Sequence, residues 1–414
     1  MTVLHDPLAF FGADAIQDPY PLYDRMRAEG PVHRIGDSGF YLVCDWAAIN
    51  DAVNRPEDFS SNLTAAMMFT ADGTVVPFEL DRVGGPTQIL ATADDPAHAA
   101  HRKMLVPQLA AKRIREMEAF ISATFEERWA DGLRDGRIEW MGAVANRLPM
   151  MVVAHLIGVP AEDVDQLIEW AYASTQLLDG LVDEQQLIAA GTAGMEMGNY
   201  IHRQFLRAAT DPEDNFLGAL AASRRASEVE EITAQLMMVI LFSAGGESTA
   251  SLLGSSMEIL ATRPHIQEQL RENPDLLGPF IEEALRYEPP FRGHYRHVVA
   301  DTTLGGVDLP AGSRLLLLWG AANRDPAQFD EPNEFRLDRP GGKGHITFGK
   351  GLHFCVGAAL ARLEAQVVLR AVLDRTSWID PLDVGPWLPS ILVRRREQLW
   401  LRVGRESVVE TGLS

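Results

Sequence analysis

Cysteine is scarce: the 414 residues hold two, Cys44 and Cys355. Two cannot build a disulfide framework, so a reduced, cytoplasmic setting is expected and at most one thiol does chemistry. Basic residues are also short, 37 against 58 acidic ones, for a formal charge of −21. A chain this acidic repels phosphate backbones and anionic headgroups, so nucleic-acid binding is not expected. Long apolar runs are missing, since Leu236 to Phe242 falls far short of the roughly 20 residues a membrane span needs. The start, Met-Thr-Val-Leu-His-Asp-Pro, lacks the basic region and apolar core of an export signal. No repeat or low-complexity tract stands out and the 24 prolines mark no linker, so residues 1–414 read as one domain. Hydrophobic content of 46% with 23% charged residues excludes disorder, collagen and coiled coil.

What is present is mostly helical texture. Asp18 to Gly30 reads as a helix closed by glycine, and Val32 to Cys44 alternates around Asp37-Ser38-Gly39 as a hairpin would. Ser60 to Ile89 shows no sustained period and is expected to be a long functional loop. From Asp95 to about Asp275 apolar residues recur at helical spacing, broken at Gly158-Val159-Pro160, Asp211-Pro212 and Arg263-Pro264. Val298 to Trp319 then holds two β-rich runs, a last helix spans about Gly357 to Asp374, and Trp387 to Val403 looks extended. The expected class is mainly α, with small β-rich elements at about 31–46, 293–319 and 387–403.

The richest stretch is Phe348-Gly349-Lys350-Gly351-Leu352-His353-Phe354-Cys355-Val356-Gly357, ahead of a helix opening Ala358-Ala359-Leu360. A thiol at a helix start meets unpaired backbone N–H groups and the positive end of the dipole, which favour the thiolate, a soft metal ligand. Glycines at 349, 351 and 357 allow a large flat ligand close to the backbone. A lone cysteine there could otherwise be a plain buried residue.

The pattern Phe-Gly-x-Gly-x-His-x-Cys-x-Gly resembles the haem-binding signature of the cytochrome P450 family, the haem-thiolate monooxygenases. The resemblance implies Cys355 as the axial iron ligand, Phe348 packed on the proximal side and His353 bonded to a haem propionate. Thiolate ligation pushes electron density to iron and favours O–O cleavage. Further motifs agree. Glu283 and Arg286, i and i+3 on one helical face, precede Tyr287-Glu288-Pro289-Pro290 as the family's Glu-x-x-Arg does, with Arg339 as the implied third member of a buried structural network. Ala244-Gly245-Gly246-Glu247-Ser248-Thr249 is similar to the family's central-helix motif, where small residues admit dioxygen and an acid–alcohol pair relays protons. Ser248 departs from the family's threonine, and Thr249 is the candidate to substitute. His98 and Arg102 match the bacterial His-x-x-x-Arg, and Arg296 the other propionate arginine, with His294 and His297 beside it. Within the family the chain is similar to actinobacterial members, especially the mycobacterial subfamily 144.

The resemblance implies a cytochrome P450 fold with haem b between the central helix and the helix after Cys355. The implied reaction inserts one atom of O2 into a hydrophobic substrate, using electrons from NAD(P)H through ferredoxin reductase and ferredoxin. A peroxide-driven peroxygenase or a haem sensor or carrier is the alternative. By family position Met67, Met68, Phe69, Val239, Leu241, Ala244, Gly245, Phe291 and Ile391 surround the substrate. Two segments free of acids, Pro96 to Arg115 and Arg339 to Leu363, are expected to form a positive island on a protein expected to be a monomer. Its expected contacts to an acidic ferredoxin are Lys103, Lys112, Arg113, Lys343 and Lys350.

Overall fold

The structure is a computed structural model and describes residues 2–4, 6–80, 88–339 and 344–405. Helices dominate, and the longest, Glu231–Thr262, runs through the middle. It is buried on nearly every side from Ala250 to Ala261, where the buried polar residues that share the stretch, Ser251, Ser255 and Ser256, are small. Among the described residues it is the one helix long and apolar enough to cross a membrane, and 56% of its most apolar stretch is buried inside the protein.

The helix does not break at Gly245-Gly246. Those glycines let a neighbour come close instead: a Cβ on Gly246 would sit 2.1 Å from Met150 Sδ, and one on Gly245 would sit 2.8 Å from Val153 Cγ2. Helix Leu148–Ile157 is thereby seated against the central helix next to the polar motif.

The N-terminal hairpin forms as expected, Val32–Ile35 against Phe40–Val43, and it belongs to a six-stranded sheet. Arg314–Leu317 runs parallel to Phe40–Val43 and antiparallel to His294–Val298, so distant segments meet in one layer. The expected irregular loop differs: Ala65–Phe69 pairs with Val75–Glu79. Its turn is built by Asp72, whose Oδ1 accepts from Thr70 Oγ1 at 2.5 Å and from Thr74 N at 3.2 Å, followed by Gly73 at φ +82°. Asp-Gly is a hairpin signal that the absence of alternation in buried Ala65, Ala66 and Met67 obscured. Residues 81–87 of that stretch lie outside the described ones. Helix Ala358–Arg375 passes directly into strand Thr376–Val384, which pairs with Leu399–Arg405.

Candidate active site

Cys355 lies between the turn Gly351–His353 and helix Ala358–Arg375. Gly349 and Gly351 adopt φ of +69° and +66°, a left-handed backbone that residues with a Cβ rarely take. The loop closes with Cys355 N donating to Phe348 O at 2.8 Å. The sulfur has accessible surface, yet that surface faces an interior cavity. Burial raises the thiol's pKa, while the N–H groups of Gly357 and Ala358, and more distantly Arg102 and Arg362, pull it down. Backbone donors aimed at a buried sulfur suit a thiolate held by a metal.

The cavity encloses about 1590 Å³ of empty space, part of it open to solvent. One end is polar. His98 and His353 stack with ring centroids 4.1 Å apart, and Arg102 Nη1 donates to Phe354 O at 2.8 Å. Arg296 donates to Tyr295 O at 2.7 Å. Burial, then the Arg296 charge, pushes His353 down to about 3, and burial lowers Arg296 to about 10. Neither Arg102 nor Arg296, both of which line the cavity, has a carboxylate within ion-pairing distance among the described residues. Uncompensated guanidinium groups facing a cavity across from a thiol fit the two acidic side chains of a haem. His297, beside them in sequence, does not line the cavity.

The floor is locked by charge. Arg286 Nε and Nη2 donate to the two oxygens of Glu283 at 2.7 and 2.8 Å, and Arg339 Nε reaches both of those oxygens at 3.1 Å. Arg286 is 1% exposed and spends its remaining N–H groups on the carbonyls of Asn323, Pro332 and Glu334. A second pair was missed in sequence: Glu282, one residue along, holds Arg362 at 2.5 and 2.9 Å and His345 at 3.1 Å. Burial alone would raise the Glu282 pKa, but Arg362 and His345 hold it at about 2. Arg362 in turn covers the Phe348 ring at 4.4 Å, and Phe348 lines the cavity.

In the central helix Ser248 and Thr249 line the cavity, and Ser248 Oγ donates to Ala244 O at 2.7 Å. Glu247 points away, toward Arg395 at 3.5 Å, and its Oε2 has no hydrogen bond among the described residues. Burial raises its pKa against the pull of Arg395. Arg395 lies over Tyr172 at 4.3 Å and bonds Asn146 at 3.1 Å. Burial, with the Glu247 charge adding, brings nearby Asp179 up to about 7 even though Ser390 donates to it at 2.5 Å. Arg395 and Asp179 were missed. The run Arg394-Arg395-Arg396 in so acidic a chain was the available signal.

Of the nine residues expected around the substrate, Leu241, Ala244, Gly245 and Phe291 line the cavity. Met67 and Ile391 are instead packed, at 1% and 0% exposure, in a separate apolar cluster with Leu178 and Leu181. Phe69 joins that cluster and stacks on Phe11, Met68 is partly buried on the hairpin, and Val239 packs among the helices. Three bonds close this side: Phe69 N to Gly180 O at 2.9 Å, Ile391 N to Asp179 O at 3.1 Å, and the Ser390 contact.

On the outer surface the positive island is smaller than expected. Arg113 pairs with Asp214 at 2.5 Å and Lys112 faces Glu116 at 3.8 Å. Lys350 bonds the Asn50 side chain, Lys103 is exposed, and Lys343 lies outside the described residues.

Comparison with known proteins fits this geometry. A family model for cytochrome P450 matches residues 200–395. Cytochrome P450 144 of Mycobacterium tuberculosis is 67% identical over 403 residues, covering 97% of this chain and 93% of that one. This chain belongs to the cytochrome P450 family. Its members are generally haem monooxygenases that use O2, and the protein is accordingly an oxidoreductase. A vitamin D(3) 25-hydroxylase of Pseudonocardia autotrophica is 31% identical, with 98% of each chain covered. The crystal structure of CYP109E1 from Bacillus megaterium in complex with testosterone superposes with a TM-score of 0.83 at 26% identity, covering 94% of this chain and 99% of that one.

Proposed function

We propose that the whole chain acts as one monooxygenase domain. It inserts one oxygen atom of O2 into a hydrophobic organic substrate, with electrons from NAD(P)H passing through a ferredoxin reductase and a ferredoxin. The observation that carries this reading is Cys355, set among backbone N–H donors on a cavity whose walls include Ser248, Thr249, the guanidinium groups of Arg102 and Arg296, and many apolar side chains. Cys355 holds the iron of haem b, and Arg102, Arg296, His98 and His353 receive its propionates. The bound haem supplies the binding and reductive activation of O2.

The chain supplies the rest. Ala244 puts a small side chain on the cavity wall, and Ser248 and Thr249 present hydroxyls that hand protons into the cavity. Glu247, held by Arg395, keeps a buried carboxyl behind them. Leu241, Ile240, Phe291 and Leu90 exclude water and favour an apolar substrate. The vitamin D(3) hydroxylase and the testosterone complex among its relatives support a substrate of sterol-like size.

The reduced carbon monoxide complex should show the thiolate-type absorbance, and Cys355→Ala should abolish it. A histidine-type spectrum in fresh protein would reject the assignment. Screening azoles, fatty acids, steroids and aromatics for spin-state shifts would narrow the substrate, and tight binding of small charged compounds alone would refute the hydrophobic class.

A further inference from the structure

His294 opens on the cavity, and its other ring nitrogen is spoken for: Trp319 Nε1 donates to His294 Nδ1 at 2.5 Å. An indole N–H can only donate, so Nδ1 must be the acceptor and the proton of the neutral ring must sit on Nε2. Trp319 is 2% exposed and stands two residues past the end of strand Arg314–Leu317. Leu317 of that strand is the register partner of His294, so the donor and the ring are fixed by one sheet. The edge of the Phe291 ring packs against the imidazole at 5.3 Å. Although His294 has accessible surface on the cavity, the protein atoms crowded around the ring, then the Arg296 charge, move its pKa down to about 4, which keeps it neutral at physiological pH. Nε2 has no hydrogen-bond partner among the described residues.

We infer that His294 is a specificity residue whose Nε2–H donates to an oxygen acceptor, a carbonyl or ether, on an otherwise hydrophobic substrate. The inference rests on the monooxygenase reading and adds the functional group that its substrate carries. An N–H set into an apolar wall and fixed in one tautomer favours a ligand that satisfies it over one that leaves it unpaired. Arg296 stands two residues along the same strand and on the same face, so a haem propionate is the competing acceptor.

The experiment titrates the haem-loaded protein with cyclododecanone and cyclododecane and reads the spin-state shift. Wild type should prefer the ketone, relative to His294→Phe, by about tenfold, the value of one net hydrogen bond. His294→Gln, which keeps a donor, should retain part of that preference. In the diamagnetic ferrous carbon monoxide complex, nitrogen-15 NMR should find the His294 proton on Nε2. An equal ketone preference in wild type and His294→Phe would overturn the inference. So would a weakened haem affinity in His294→Phe with ketone preference intact, which would assign the donor to a propionate. Absence of the thiolate-type band before any ligand is added would overturn the monooxygenase reading and this one with it, whereas a normal band with no preference would overturn only this one.

Discussion

Beneath the cavity, Glu283, Arg286 and Arg339 form a buried network in which the Glu283 carboxylate accepts from two guanidinium groups and the spare N–H groups meet backbone carbonyls. Across the cavity Glu247 and Asp179 share the neighbourhood of one arginine, Arg395, and Glu247 Oε2 is left without a hydrogen bond among the described residues. Both regions bury charge. The first satisfies it and so fixes one geometry, whereas the second leaves carboxyls whose protonation can change. On the proposed function, a scaffold that holds an iron ligand still suits the first arrangement, and proton supply suits the second.

The contrast breaks most severely if the floor is cut. Arg286→Ala leaves the Glu283 carboxylate short of its closest partner in a dry site and the Asn323 and Pro332 carbonyls without their donor, which should cost about 3–5 kcal/mol. Denaturant unfolding should show that loss together with poor haem retention, and Arg286→Lys, lacking the planar fork, should fall between. Unchanged stability in Arg286→Ala would mean that the network is dispensable.

A smaller effect probes the other wall. Asp179 rises from an ordinary 3.8 to about 7, so between those values the folded protein keeps a proton that the unfolded chain has released. Stability should therefore fall as pH climbs from about 4 to about 7 and level off above, by an amount on the order of a few kcal/mol. Asp179→Asn removes this slope. Thermal melting of both proteins at pH 5 and pH 8 checks it, and parallel losses would show that Asp179 stays ionised.

Legibility followed the same division. Glu283 and Arg286 could be read because they share a helical face and match the family's Glu-x-x-Arg, and the cysteine loop because its glycines, histidine and cysteine match the family's signature. Glu282 was passed over although it neighbours Glu283, since its partners His345 and Arg362 lie 63 and 80 residues away. Met67 and Ile391 could not be placed, because whether they face the cavity or the cluster with Leu178 depends on contacts between segments far apart in the chain. The central helix runs unbroken through Gly245-Gly246, where neighbouring Met150 and Val153 fill the space that the missing Cβ atoms leave.

Ser248 sharpens the comparison at the scale of a few-fold change. Its hydroxyl spends its proton on Ala244 O while remaining at the cavity edge, ready to turn. Ser248→Ala should lower product per NAD(P)H several-fold and divert electrons to peroxide, whereas Ser248→Thr should keep coupling. Equal yields in wild type and Ser248→Ala would move the role to Thr249.

The smallest expected effect lies outside both walls, where the charges are hydrated. Lys103 is exposed on the helix whose Arg102 bonds the cysteine loop, and it forms no ion pair among the described residues, whereas Lys112 and Arg113 are already opposed by Glu116 and Asp214. Lys103→Glu should therefore slow reduction by an acidic ferredoxin several-fold, and Lys112→Glu should do less. A steering charge acts through solvent, so the gap between wild type and Lys103→Glu should close as the screening length shrinks from about 10 Å at 0.1 M salt to about 3 Å at 1 M. Binding of substrate inside the cavity should not change. Stopped-flow reduction across that salt range measures the effect, and rates indifferent to both the substitution and the salt would place the electron donor on another face.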